Sequence, residues 1–284
     1  MKKLYLFLYY LIFIAIIIAL IWAVNQNLKE PMNQTKKHSK TEQTAKKPKQ
    51  SKPTKAQPKK EKTPLSKEQK AIAEAKKEPL SKRFKSTKSK WGDKIYIRIF
   101  KKESELEIWI KPKNSTIYKL LKVYNICSYS GRLGPKLKEG DMQAPEGFYK
   151  VYKQSLNPHS NYHLSFNLGF PNAYDKANKR TGSYLMVHGK CVSAGCYAMG
   201  DKNIEQIYKL TQKALYNNEK YIPVHIFPFR MSKKNLIKYK TSKWYNFWQN
   251  LKEGYDLFEK YKIPPKVYVK AKKYKFNKPR KKSN

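Results

Sequence analysis

The residues best equipped for chemistry lie in one short stretch, 184–201, YLMVHGKCVSAGCYAMGD. A strand-like run, Tyr184–Val187, delivers His188, and Gly189 turns the chain. Gly195–Cys196 then precedes a helical pattern that begins near Asp201. A thiol attacks as its thiolate, so a nucleophilic cysteine needs a base within hydrogen-bond reach. The return from His188 to Cys196 is short enough to put the two side by side. Gly195 lets a carbonyl substrate approach the backbone. The Gly195 and Cys196 amides, close to a helix start, are candidates to stabilise an oxyanion. His188, Cys191 and Cys196 could instead bind zinc, but no fourth ligand lies nearby and Cys-x4-Cys is a wide bite for a structural site, so no metal is expected.

The elements that must position this stretch belong to a chain of 284 residues with 62 Lys/Arg, 20 Asp/Glu and a formal charge of +42. Charge of that size bears on partners rather than on fold. Nucleic acid, anionic lipid and an anionic wall polymer all fit it. The three cysteines form no disulfide framework, and an odd count leaves a reactive thiol in an exported protein. Cys127, in the apolar stretch Leu120–Cys127, reads as a buried inert residue, and Cys191 as a small packed thiol. A Cys191–Cys196 disulfide switch is the sharper alternative for Cys191.

Residues 4–24 are 21 apolar or aromatic positions without a charge, long enough to span a bilayer and longer than a signal-peptide core. They predict an uncleaved anchor. Lysines on both sides lean weakly toward a cytoplasmic C-terminal part, and the chemistry of 184–201 decides for the opposite orientation. Residues 25–90 hold 21 Lys/Arg against 6 Glu and few apolar side chains, a composition that predicts a disordered linker, with a transient helix at 66–77. From Trp91 the pattern changes. Ile95, Ile97 and Ile99, then Leu106, Ile108 and Ile110, alternate with other residues as in a hairpin of half-buried strands. Further strands are predicted at 117–127, 147–153 and 162–170. Helices are predicted at 201–217, capped by Asp201, and at 242–261, ended by Pro264–Pro265. The fold class is α+β: a β-rich core with appended helices.

Several segments together resemble the L,D-transpeptidase (YkuD-type) catalytic domain family, in its YafK-like subgroup. HGKCVSAGCYAM resembles the active-site motif, and GPKLKEGDMQAPEGFY (134–149) the segment entering the core. LNPHSNYHLSFNLGFPNAYDKANKRTG (156–182) resembles the cleft-lining strand and loop, and VHIFPFRM (224–231) and WYNFWQNLKEGYDLFEKYKIPP (244–265) continue the likeness. The resemblance spans about 92–268. With the anchor (1–24) and the linker (25–90) read from hydropathy and composition, the chain divides into four parts, the other two being a catalytic domain (91–230) and a helical extension with a basic tail (231–284). The resemblance also implies Cys196 as nucleophile, His188 as base, the Gly195–Cys196 amides as oxyanion site, and Gly189 or Ser193 orienting the imidazole. Many members carry a second His before the Gly-Cys and an Arg after it, where this chain has Ala194 and Tyr197, and the spacing from His188 to Cys196 is shorter than usual.

The substrate implied is the peptidoglycan stem peptide, attacked at the carbonyl of its diamino acid. The acyl group passes to an amine, including that of a wall-attached protein, or to water, in cell wall remodelling and cell shape. No cofactor is implied, and no specific nucleic acid. The location implied is the periplasmic face of the inner membrane, with residues 4–24 in the bilayer. Arg180, His163, Asn167 and Tyr197 are candidate substrate contacts, Arg180 because a guanidinium pairs bidentately with a carboxylate. His225, between two aliphatic residues, reads as structural. A non-catalytic, membrane-anchored basic scaffold is the alternative from another class. It accounts for the charge and the linker but not for the ordered motif.

Overall fold

The computed structural model describes Pro64 and residues 66–279. The predicted anchor and most of the predicted linker lie outside the described residues. Within them, no helix is long and apolar enough to cross a membrane.

Among the described residues, twelve strands and six α-helices follow in order. The first sheet is built from β1 (Lys94–Phe100), β2 (Glu105–Lys111), β3 (Lys119–Asn125), β5 (Gly147–Val151) and β10 (Ile222–Phe227), in the order β3-β2-β1-β10-β5. The second contains β4 (Ser128–Tyr129), β6 (Leu156–Ser160), β7 (His163–Asn167), β8 (Met186–His188) and β9 (Tyr197–Ala198), in the order β4-β9-β8-β7-β6. Helix α4 (Asp201–Tyr216) joins them: Ile204, Ile207, Leu210, Ala214 and Leu215 share one apolar core with Ile95, Ile97 and Ile99 of β1 and with Phe166, Val187 and Tyr197 of the second sheet.

The alternation in β1 and β2 suggests one wet face, yet both faces are covered. Tyr96, Arg98 and Phe100 point the other way, toward α6 (Tyr245–Tyr261), whose Phe247, Trp248, Leu251 and Tyr255 build a second core with Phe100, Phe148 and Phe227. Arg98 is tolerated there because its charge is met on every side. It bonds Glu107 at 2.8 Å and Glu259 at 2.5 Å and lies over the rings of Trp109 and Phe258. A buried ion pair needs such geometry to offset desolvation.

Two expectations about boundaries change. Residues 66–90 are not a continuation of the linker: they form α1 (Lys67–Lys77) and α2 (Leu80–Thr87), docked on the edge strand β3. Arg83 donates to the carbonyls of Leu120 and Leu121 at 2.7 and 3.0 Å, and the Lys122 ammonium donates to Lys76 O and Glu78 O. These bonds cover a sheet edge that would otherwise stay open. The start of α1 is a capping box of Ser66 and Gln69, and the helix expected at 66–77 is there, docked rather than transient. At the other end, α5 (Lys233–Ile237) and α6 are followed by a hairpin, β11 (Lys266–Lys270) and β12 (Lys273–Asn277), absent from the sequence expectation of a purely helical extension. Its anchor is Tyr274, buried against Phe148 and stacked on Tyr174 of α3 (Ala173–Ala177) at 4.2 Å.

Candidate active site

Strands β8 and β9 run parallel, with Val187 opposite Tyr197 and His188 opposite Ala198. Cys196 immediately precedes β9 and falls level with Met186, two residues before His188. Side chains on a strand alternate, so His188, Met186, Ala198 and Cys196 share one face of the sheet. Val187 and Tyr197 take the other face and enter the core. A cysteine and a histidine thus sit diagonally across two neighbouring strands. The eight-residue return is long enough because the chain crosses only one strand spacing.

The tautomer of His188 is fixed. Its Nδ1 lies 2.6 Å from the carbonyl oxygen of Gly189 and must donate the proton there, since a carbonyl only accepts. Nε2 is left as the basic nitrogen. The ring is 3 % exposed, and burial holds its pKa below the ordinary value of 6.5, with the Gly189 carbonyl opposing. The Cys196 thiol receives the Met186 N–H at 3.4 Å and donates to Tyr184 O at 3.7 Å. Burial pushes this thiol above its ordinary range, against the pull of the Met186 amide and the Lys136 ammonium. Both groups are therefore neutral at rest. The arrangement suits general-base activation at the moment of attack rather than a standing thiolate–imidazolium pair.

The turn between them is held locally. Gly195 adopts φ +117, a conformation that favours glycine. The Ser193 hydroxyl donates to Cys196 O at 2.8 Å and accepts from the Gly195 N–H at 3.3 Å. The Gly195 amide is thus engaged, whereas the Cys196 amide has no hydrogen-bond partner among the described residues. Of the two residues weighed for orienting the imidazole, Gly189 supplies the partner and Ser193 braces the cysteine. Gly189 leaves no room for a Cβ, which would meet Tyr162 O at 2.6 Å and Asp201 Oδ1 at 2.7 Å. Asp201 does not cap α4, whose N-cap is Gly200; its carboxylate accepts the Lys190 N–H at 2.7 Å and pins the loop.

A disulfide also anchors this loop. Cys191 is bonded to Cys127, with Cα atoms 5.3 Å apart, and Cys196 is free. Cys127 is therefore not the inert thiol expected, and Cys191 has no thiol to trap Cys196. The distance argument for a Cys191–Cys196 bond weighed only neighbours in sequence, whereas β4 brings Cys127 across from β9.

The remaining candidates separate. Asn167 lies opposite Met186 on the cysteine's face, its side chain accepting the Gly169 N–H. His163 is exposed and pairs with Glu205 at 2.9 Å. Arg180 is buried, bonded to Asp175 at 2.9 Å beneath the rings of Tyr174 and Phe247, so its charge is already answered inside the fold. Tyr197 is fully buried on the opposite face, donating to Pro145 O, and cannot reach a substrate at Cys196.

Two residues at the site escape the sequence. Lys136 is buried, tied to Asp141 at 2.6 Å, and its charge favours the thiolate of Cys196. Tyr162 lies with its ring centroid 4.7 Å from that of His188, tilted by 37°. It is the outer cover of the imidazole, and nothing in its spacing distinguishes it from a turn tyrosine. Because burial depresses the His188 pKa, the base form persists below pH 6.5 and kcat/KM should hold until the pH falls beneath that. Replacing Tyr162 with alanine admits water, raises the His188 pKa toward 6.5 and moves the acid limb of the profile upward. Tyr162→Phe should leave the limb in place. A limb unmoved in Tyr162→Ala would show that the ring does not shield the base.

Known proteins match this frame. The family model of the YkuD L,D-transpeptidase catalytic domain matches residues 94–226. The chain is 46 % identical over 188 residues, 66 % of its own length and 76 % of the relative's, to "Putative L,D-transpeptidase YafK" of Escherichia coli K12, with the same figures for the protein from strain O157:H7. Two crystal structures of the helical cell shape determining protein Pgp2 from Campylobacter jejuni align at 19 % and 20 % identity with TM-scores of 0.39 and 0.38, covering 63 % of this chain and 63 % and 67 % of those chains. On the strength of the family model and the YafK relatives, the chain belongs to the L,D-transpeptidase family, whose catalytic domain acts on peptidoglycan.

Proposed function

We propose that this protein is a peptidoglycan acyltransferase in which Cys196 forms a thioester with the diamino acid of a stem peptide. The carrying observation is the shared sheet face of Cys196 and His188, with the imidazole proton committed to Gly189 O and Nε2 left to act. Nε2 takes the thiol proton as sulfur attacks the carbonyl carbon, and the Cys196 N–H is the free amide at the developing oxyanion. When the C–N bond breaks, the imidazolium returns that proton to the departing amine and the thioester remains. An acceptor amine then loses a proton to Nε2 and attacks, expelling the thiol. Water in the same position gives L,D-carboxypeptidase or endopeptidase hydrolysis, the alternative outcome on the same bond.

Incubating the full-length protein with purified muropeptides, read by mass spectrometry, separates the two. Transfer yields cross-linked or amine-attached products, and hydrolysis yields trimmed ones. A Cys196→Ala protein that forms the same products would overturn the proposal.

The same reading puts the catalytic domain outside the cytoplasm, held by an anchor at residues 4–24, where cell-wall remodelling and control of shape take place. The Cys127–Cys191 disulfide supports this, since disulfides persist in oxidising compartments. A reporter enzyme active only outside the cytoplasm, fused after Asn284, should be active. A fusion active only in the cytoplasm would contradict the topology.

A further inference from the structure

A second cleft, of about 320 Å³, opens between the outer edge of the first sheet, α3 and the β11–β12 hairpin, and none of its lining residues belongs to the Cys196 site. Its volume is within the range of small-ligand sites. Its walls present Tyr152 and Tyr221, with ring centroids 5.8 Å apart, and Tyr268 from the hairpin, half of whose surface is open to solvent. Lys150 and Lys266 stand at the rim, the Lys150 ammonium 4.6 Å from the centre of the Tyr221 ring. No acidic side chain lines the cleft, so neither ammonium meets a counter-charge in it.

The floor holds the polar edge of an imidazole. His225 is 2 % exposed, and its Nδ1 lies 2.7 Å from the Tyr96 hydroxyl. Burial, and secondarily Arg98, pulls its pKa down to about 3, so the ring is neutral. Nδ1 is engaged by the Tyr96 hydroxyl, and Nε2 makes no hydrogen bond to the described residues.

The geometry points to this cleft as a binding site for a saccharide ring bearing a carboxylate. Aromatic faces take the C–H faces of a pyranose, whose hydrogens are the positive edge that a π quadrupole attracts. The rim ammoniums take the carboxylate, and Nε2 of His225 meets a ring hydroxyl, which can donate to it or accept from it. The source is the sugar strand of the wall polymer where the stem peptide has been removed and the muramic carboxylate is free, and naming it so rests on the function proposed above. The recognition chemistry does not use Cys196.

Calorimetric titration of the full-length protein, in detergent at low ionic strength, tests this with two probes. One is the N-acetylglucosaminyl–N-acetylmuramic acid disaccharide with its free carboxylate, and the other is neutral N,N′-diacetylchitobiose. The acidic disaccharide should bind about tenfold more tightly than the neutral one. Lys150→Ala with Lys266→Ala should remove that preference, and Tyr268→Ala should weaken both probes. Cys196→Ala should bind the acidic disaccharide as the unaltered protein does. Equal binding of the two probes, or no binding of either by a protein that still turns over muropeptides, would overturn the saccharide site while leaving the Cys196 proposal intact. Binding abolished by Cys196→Ala would place the ligand in the active site and overturn it too.

Discussion

Cys196→Ala should have no measurable turnover of stem peptides, and Cys196→Ser should be nearly as inactive. The serine hydroxyl is less acidic than a thiol, and burial already pushes the thiol above its ordinary range. An alcohol in the same position is therefore harder to activate by a neutral imidazole. His188→Gln should retain a folded domain and lose roughly 10²- to 10⁴-fold in kcat, the range for removing a general base. Neither change should alter the thermal midpoint much, because Cys196 is only partly buried and glutamine can keep a donor near Gly189 O. Full activity in Cys196→Ser, measured on purified muropeptides with folding checked by circular dichroism, would remove cysteine from the mechanism.

The largest expected effect on stability comes from the disulfide. Cys127 and Cys191 are 64 residues apart in sequence, and closing a loop of that length lowers the entropy of the unfolded chain by about 4 kcal/mol in the chain-entropy model. Cys127→Ser and Cys191→Ser should each lower the unfolding midpoint in urea by an amount consistent with a loss of about 2–4 kcal/mol. They should also lower kcat. The bridge ties the loop that begins at Lys190 to the chain entering β4, and the same loop carries Ser193, whose hydroxyl braces Cys196. The double variant should match either single one, since each removes the same bond. Unchanged stability in all three, with the thiols shown to be oxidised in the unaltered protein, would show that the bridge supports neither the fold nor the loop.

The sequence reveals the parts of this site that depend on local order along the chain. His188 followed by a glycine, and Gly195 followed by Cys196 before a helix, announce a strand–turn–helix unit whose ends meet. The alternation of Ile95, Ile97 and Ile99 likewise announces β1. What stays hidden depends on partners distant in sequence. Arg98 looks like a solvent residue until Glu107 and Glu259 are brought to it. Arg180 looks free to bind a carboxylate until Asp175 and two rings enclose it. Tyr197 lies beside the cysteine in sequence, and the alternation of a strand sends it to the opposite face. Cys127 and Cys191 look independent because only β4 beside β9 makes them neighbours. Residues 78–90 look disordered, and the helix at 66–77 looks only transient, because their few apolar side chains dock on an edge strand already formed elsewhere. A truncated protein starting at residue 91 would leave that edge open, so activity is best measured on the full-length chain.

The most direct measurement is the intact mass of the full-length protein, quenched in acid during turnover of a tetrapeptide muropeptide. A Cys196 thioester predicts a mass increase equal to the acyl portion that remains after the terminal residue departs. Peptide mapping should locate it at Cys196, hydroxylamine should remove it, and Cys196→Ala should lack it. An adduct mapped to any other residue, or turnover under conditions where a stabilised thioester would be seen and none forms, would contradict covalent catalysis by Cys196.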